Sequence, residues 1–213
     1  MNIPKADQRV AKEIVSTLVS KGIKVLALDF DQTIVSVHTA GFWKAGTPKL
    51  AEHVRAAFKA LIHAALDSAL HVCIVTYSMQ PLLIYDVLKM CLPKSDLKKL
   101  IIRANSAEWA PQSDLPGICL GKEQHLAWIC TALFNKKKVI IQPDEILLMD
   151  DDEDNVQVAK DFGHQAYLVE NDVSLDSMLH YVQCLPDLTG SRTSPVADKT
   201  VSGTSRHKRA TTM

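Results

Sequence analysis

The chain has 213 residues, enough for one ordinary domain with some length to spare, and its 47% hydrophobic content can bury a substantial core. Its 24 basic and 24 acidic side chains leave a formal net charge of zero, so bulk charge gives no ground for a nucleic-acid or anionic-membrane partner. No apolar run approaches the roughly 20 residues that cross a bilayer.

Residues 1–22 alternate polar and apolar, which is not the pattern of a signal peptide. The cysteines are Cys73, Cys91, Cys119, Cys130 and Cys184, with no Cys-x-x-Cys pair among them. They read as reduced, inert thiols, and the chain as a soluble cytoplasmic protein.

In chain order, Pro4 is followed by apolar residues at helical spacing through Val19, and Gly22 suits the helix end. Lys24–Asp29 reads as a strand buried on both faces. Residues 34–48 read as loop, and Leu50–Leu70 as one long helix. His71–Thr76 is a second strand and Pro81–Leu92 a second helix. Leu100–Arg103 is a third strand, followed by an irregular stretch over 104–121 containing Pro111, Pro116 and Gly117. A helix is expected from about Lys122 to Phe134, a strand over Glu145–Asp150 and a helix over Glu153–Phe162 capped by Gly163. A fifth strand over Ala166–Val169 and a last helix over Val173–Leu185 close the series.

Strands alternating with helices predict an α/β fold: an open parallel sheet of about five strands with helices on both faces. Ligands in such folds bind beyond the carboxyl ends of the strands, and Asp29, Thr76 and Asp150 each end an apolar strand. This domain is expected to span 1–186. Residues 187–213, rich in Ser and Thr with five basic and two acidic side chains, read as a disordered tail. Arg206–Arg209 in that tail reads as either a solvated cluster or an anion-binding patch.

Four pieces carry chemistry. On a strand, residues two apart point to the same face, so Asp29 and Asp31 place two carboxylates where they repel each other and lose solvation, a cost that a divalent cation offsets; the same pair also fits an ordinary turn. Thr76, with Tyr77 beside it, offers a hydroxyl to a phosphate oxygen, or simply caps the next helix. Lys122 opens a helix, where the dipole disfavours a cation unless an anion sits next to it. Asp150–Asp154 is a run of five acids after an apolar strand. Asp152, Glu153 and Asp154 suit a helix N-terminus, whereas Asp150 and Asp151 are better explained as metal ligands.

Taken in order, Asp-x-Asp, Thr, Lys and Asp-Asp-x-x-x-Asn over residues 23–170 resemble the haloacid dehalogenase (HAD) superfamily. The resemblance implies that Asp29 is a nucleophile forming an aspartyl phosphate and also a metal ligand. It makes Asp31 the general acid and base, with its backbone carbonyl on Mg²⁺. Thr76 binds the phosphoryl group and Lys122 steadies Asp29. Asp151 ligates Mg²⁺, and Asp150 and Asn155 support it. A second aspartate, Asp31, points to a phosphatase over a phosphomutase, dehalogenase or ATPase. A response-regulator receiver uses similar groups but places its acidic pair after the first strand, so the order here excludes it.

Thr33 and Thr76 are 43 residues apart, too few for a large inserted cap domain, and 104–121 is too short for another. The resemblance is nearest to the small magnesium-dependent phosphatases. An uncapped site suits a phosphorylated protein or other bulky phosphoester, or closure by a partner subunit in a homo-oligomer. The loop after Thr33, which in that family is the flap beside the nucleophile, carries His38, Phe42, Trp43 and Lys44. Trp43 offers an aromatic face to substrate or packs on the sheet edge. Arg103 and Trp109 have weaker claims, and His125 reads as helix surface. The alternative function is a non-catalytic binding protein of the same fold.

Overall fold

Five parallel strands form one sheet in the order β3-β2-β1-β4-β5. They are β1 (Val25–Leu28), β2 (His71–Thr76), β3 (Ile101–Ala104), β4 (Ile146–Asp150) and β5 (Gln165–Leu168). The computed structural model describes residues 3–106 and 120–190. Trp109, most of the 104–121 stretch and all of the expected tail from residue 191 on, including the Arg206–Arg209 cluster, lie outside the described residues.

Alternate residues of each strand enter opposite cores. Leu26, Leu28, Val72, Ile74, Leu147 and Met149 face the larger one, covered by α1 (Lys5–Ser20), α3 (Ala56–Leu66), α4 (Pro81–Cys91) and α7 (Leu175–Cys184). Val25, Ala27, Cys73, Val75 and Leu148 face the other, covered by α5 (Glu123–Lys137) and α6 (Glu153–Asp161). Both faces are buried, which is why the strands read as unbroken apolar runs. The fold class expected from the alternation is the one observed. Among the described residues, no helix is long and apolar enough to cross a membrane.

From β1 the chain first steps outward to β2 and β3, then returns to the other side of β1 as β4. The switch point lies between β1 and β4, where doubly wound sheets bind their ligands. The register is tight there: Leu28 pairs with Met149, and the Asp29 N–H donates to the Met149 carbonyl at 2.9 Å. Asp29 and Asp150 therefore leave adjacent strands side by side.

Two expectations need correction. The Leu50–Leu70 helix is broken into α2 (Thr47–Ala51) and α3. Between them Val54 forms an antiparallel bridge with Val35, and the Arg55 N–H donates to the Ile34 carbonyl at 2.9 Å. Extended pairing to the loop after β1 wins over helix propensity at this one point. The α5 helix also runs past Phe134 to Lys137, where Lys138 in the left-handed region closes it. At the other end, Leu188 donates its N–H to the Lys21 carbonyl at 2.9 Å, so the chain still lies on α1 beyond Pro186.

Candidate active site

Asp29 is the first residue past β1, and the chain turns sharply after it. Phe30 plugs the core at 1% exposure, and Gln32 adopts φ 54°. Asp31 is thus not on the strand. The tight turn, rather than strand alternation, brings the Asp31 and Asp29 side chains to one cavity.

That cavity, about 140 Å³, takes in eight of the nine residues singled out from sequence: Asp29, Asp31, Thr76, Tyr77, Lys122, Asp150, Asp151 and Asn155. The ninth, Trp43, does not line it. Its indole N–H donates to the Gly46 carbonyl and its ring meets His53 edge-on, so it packs within the flap. Gln32, His38, Gly41, Ser78 and Asp152 line the cavity as well. The volume is below the roughly 300–1,000 Å³ of drug-sized pockets and suits a small charged group.

Lys122 lies at the centre. Its ammonium donates to Asp29 Oδ1 at 2.7 Å and stands 4.0 Å from Asp150 Oδ2. The Tyr77 ring covers it, 3.9 Å from nitrogen to centroid, and the Tyr77 hydroxyl is fixed on the Gly121 carbonyl at 2.7 Å. Tyr77 therefore shields the lysine as well as lining the cavity. Beneath Tyr77 lies His125, fully buried and edge-on at 5.3 Å, with Nε2 3.2 Å from Asn105 Oδ1. The helix-surface reading of His125 is wrong: the α5 face that carries it turns inward. Burial, with Lys122 and Arg103 adding to it, pulls its pKa down to about 4, so it is neutral near pH 7. Arg103 stacks over Trp128 at 4.4 Å.

The acids are held individually. Asp150 is wholly buried, and its Oδ1 accepts from Asn155 Nδ2 and the Asp152 N–H, both at 3.1 Å. Asp151 accepts from Thr33 through Oδ1 and from Gln32 through Oδ2, each at 3.1 Å. Asp152 caps α6, accepting from the N–H groups of Asp154 and Asn155, which is the helix-end role read from sequence. Asp31 Oδ2 takes the Thr39 N–H, the Thr39 hydroxyl and His38 Nδ1 within 3.0 Å.

Asp29, Asp150 and Asp151 bring carboxylate oxygens within 4.8 Å of one another, with one lysine to balance them. Burial pushes the Asp29 carboxyl up to about 8, against the pull of Lys122 and with Asp150 adding to the rise. Asp150 is raised for the same first reason. Burial works against the Lys122 charge, but Asp29 and Asp150 hold it above the usual lysine range. Asp150 Oδ2 is buried with no hydrogen-bond partner among the described residues. An all-oxygen donor set with an orphaned carboxylate oxygen fits a hard divalent cation, which would draw these carboxylates back to their charged form.

No family model and no curated protein matches the chain. Solved structures similar to it include the HAD domain of effector protein Lem4 from Legionella pneumophila. That domain is 12% identical, with 78% of this chain and 96% of that one covered and a TM-score of 0.49. An inactive mutant of it has a TM-score of 0.48 at 12% identity, over 78% and 95% of the two chains. The N-terminal part of BF1531 from Bacteroides fragilis, containing a phosphatase domain and complexed with Mg, is 16% identical, covers 82% of this chain and 43% of that one, and has a TM-score of 0.49. These are likenesses of fold alone.

Proposed function

We propose that the chain is a Mg²⁺-dependent phosphomonoesterase working through an aspartyl phosphate. The observation that carries the reading is the buried Lys122–Asp29 pair beside Asp150 and Asp151, at the switch point of the sheet. In the resembled family these positions hold nucleophile, counter-charge and metal. An assembly of three carboxylates around one ammonium is costly to bury unless it holds a ligand that completes its charge balance.

Asp29, Asp150 and Asp151, with the Asp31 backbone carbonyl, would hold Mg²⁺, which when bound neutralises charge on the phosphoryl oxygens. A carboxylate oxygen of Asp29 attacks phosphorus and the ester P–O bond breaks. The departing oxygen takes a proton from Asp31. Asp31, now a carboxylate, takes a proton from the water that attacks the aspartyl phosphate, which returns Asp29 and releases inorganic phosphate. Lys122 donates to the phosphoryl oxygens as well as to Asp29. The Thr76 hydroxyl accepts from the Ser78 N–H at 3.2 Å, which leaves its own hydrogen to donate.

The residues between β1 and β2 hold only the flap, α2 and α3, which supports an open site and a bulky phosphoester such as a phosphorylated protein. Phe42 and Met79, chain neighbours of the cavity residues Gly41 and Ser78, are 60% and 55% exposed and offer apolar contact to such a substrate. No observation favours the alternative of a non-catalytic binding protein. The test is hydrolysis of p-nitrophenyl phosphate with and without Mg²⁺, with Asp29→Asn as control. Turnover that needs Mg²⁺ and disappears in the variant supports the reading. Equal turnover by both proteins, or none by either, overturns it.

A further inference from the structure

We infer that Thr39 is a positioning residue that holds the Asp31 carboxyl in place for its part in the reaction. The inference rests on the phosphatase reading above and goes beyond it. Thr39 lies on the flap, 5% exposed, eight residues from Asp31. It holds Asp31 Oδ2 twice, through its N–H at 3.0 Å and its hydroxyl at 2.7 Å. The other oxygen, Oδ1, is buried and has no hydrogen-bond partner among the described residues, although Asp31 lines the cavity.

The two oxygens are therefore unlike. Donors crowd Oδ2, and through it Thr39 fixes the orientation of the whole carboxyl. In the first step Asp31 gives a proton to the leaving oxygen as the ester P–O bond breaks and the Asp29–phosphorus bond forms. In the second step the same carboxyl accepts a proton from water.

His38 is the other side chain on Oδ2, but it cannot do this unaided. Its Nδ1 lies 3.0 Å from Asp31 Oδ2 and also 3.1 Å from the Ala40 N–H. A protonated Nδ1 serves Asp31 and an unprotonated one accepts from Ala40; it cannot do both. The Thr39 hydroxyl faces no such choice. The flap turn presents Thr39 from a backbone with Ala40 at φ 53° and Gly41 at φ 76°, and the Gly41 carbonyl accepts the Met79 N–H at 3.1 Å.

A residue that acts through the general acid matters most when the leaving group needs a proton. The experiment compares Thr39→Val, Thr39→Ser and the parent protein, in Mg²⁺, on p-nitrophenyl phosphate and on a simple alkyl phosphate. Thr39→Val keeps the volume and the backbone N–H and removes the hydroxyl. It should lose roughly 10-fold or more in kcat on the alkyl ester and less than about 3-fold on the aryl ester, as partial loss of general-acid catalysis requires. Thr39→Ser should restore the parental ratio. Circular dichroism melting of each variant keeps misfolding apart from this effect, because a folding defect lowers both rates together. An equal loss on the two esters, no loss on either, or no rescue by serine overturns the role of Thr39 while leaving the phosphatase reading standing. A parent protein without turnover sinks that reading, and this inference with it.

Discussion

Lys122 and Asp29 form a 2.7 Å ion pair in which the two side chains are only 3% and 7% exposed. Asp29 comes from the switch point of the sheet and Lys122 from the residue before α5, so the pair ties the two halves of the fold at the cavity. Removing one member of a buried pair leaves an uncompensated charge and costs about 3–5 kcal/mol. Above about pH 8, where the Asp29 carboxyl is charged, Lys122→Met is expected to lose that much in denaturant unfolding without divalent cations, and with Mg²⁺ roughly 10²-fold or more in kcat. Adding Asp29→Asn should return part of the stability, because the stranded charge is then gone. A strictly additive double variant would show that the two side chains do not act as a pair.

Mg²⁺ should stabilise the protein against heat. At a hundredfold excess over its Kd, a ligand that binds only the folded state adds about 2.7 kcal/mol. Asp150→Asn and Asp151→Asn are each expected to shrink the Mg²⁺-dependent rise in Tm. Asp152→Asn, which keeps the cap on α6, should leave it. A full Mg²⁺ shift in both Asp150→Asn and Asp151→Asn would remove the cation from this cluster.

His164 couples the start of α5 to the end of α6. Its Nε2 lies 3.1 Å from Glu123 Oε2 and its Nδ1 2.8 Å from the Pro143 carbonyl. Burial lowers its pKa, but the hydrogen bond to Glu123 and the Pro143 carbonyl outweigh it and raise the pKa above 6.5. A raised folded-state value means the folded protein binds the proton more tightly than the unfolded chain does. The stability from this pair is fully present below about pH 6.5 and is lost as pH rises through the folded value. Glu123→Gln should therefore cost more stability at about pH 5.5 than at about pH 9. Chemical unfolding at the two pH values measures it, and an equal cost at both would exclude a charged His164.

How much of this was legible in the sequence follows from what each residue answers to. Strands buried on both faces announce themselves as apolar runs, and the acids, threonine and lysine that end or follow them stand out against that background. Eight of the nine site residues line the cavity for that reason. Thr39 and Gln32 carry no such mark, because their partners Asp31 and Asp151 are set by a turn with φ 54° at Gln32 that no periodicity signals. His125 was misread because α5 is only weakly amphipathic. For Trp43 the sequence leaves substrate contact and packing both open, and its contacts with Gly46 and His53 are of the packing kind. The break between α2 and α3 escaped because Val54 and Arg55 pair with residues 19 and 21 positions earlier, Val35 and Ile34.

Arg55 turns that break to use. Its guanidinium donates to the carbonyls of Gln32 and Asn171 at 2.7 Å and Glu170 at 3.2 Å, binding the loop after β1 to the loop after β5. Hydrogen bonds from a charged donor contribute about 1.5–3 kcal/mol, so Arg55→Met is expected to cost about 2 kcal/mol. It should also weaken Mg²⁺ binding, because Gln32 holds Asp151 through Oδ2. Isothermal titration with Mg²⁺, together with unfolding, separates the two effects. Lost stability with unchanged Mg²⁺ affinity would confine Arg55 to the fold.

Gly121, next to Lys122, packs against Asn155 and Val158 of α6. At φ 44° it adopts the left-handed region, and a Cβ there would stand 3.1 Å from Asn155 Oδ1 and 3.4 Å from Val158. Its carbonyl also accepts the Tyr77 hydroxyl that sets the ring over Lys122. Gly121→Ala should cost about 1–2 kcal/mol for the backbone conformation alone. The methyl group must also displace Asn155, whose amide holds Asp150 Oδ1 at 3.1 Å, so the disturbance passes to the Asp29–Asp150–Asp151 carboxylate cluster. Mg²⁺ affinity is expected to fall in Gly121→Ala. Asn155→Ala, which makes room for the methyl but removes the same hydrogen bond, should lower the affinity on its own, and combining the two should add little further loss. Additive losses in the double variant would mean that Gly121 acts on the site by another route, through Tyr77 and Lys122.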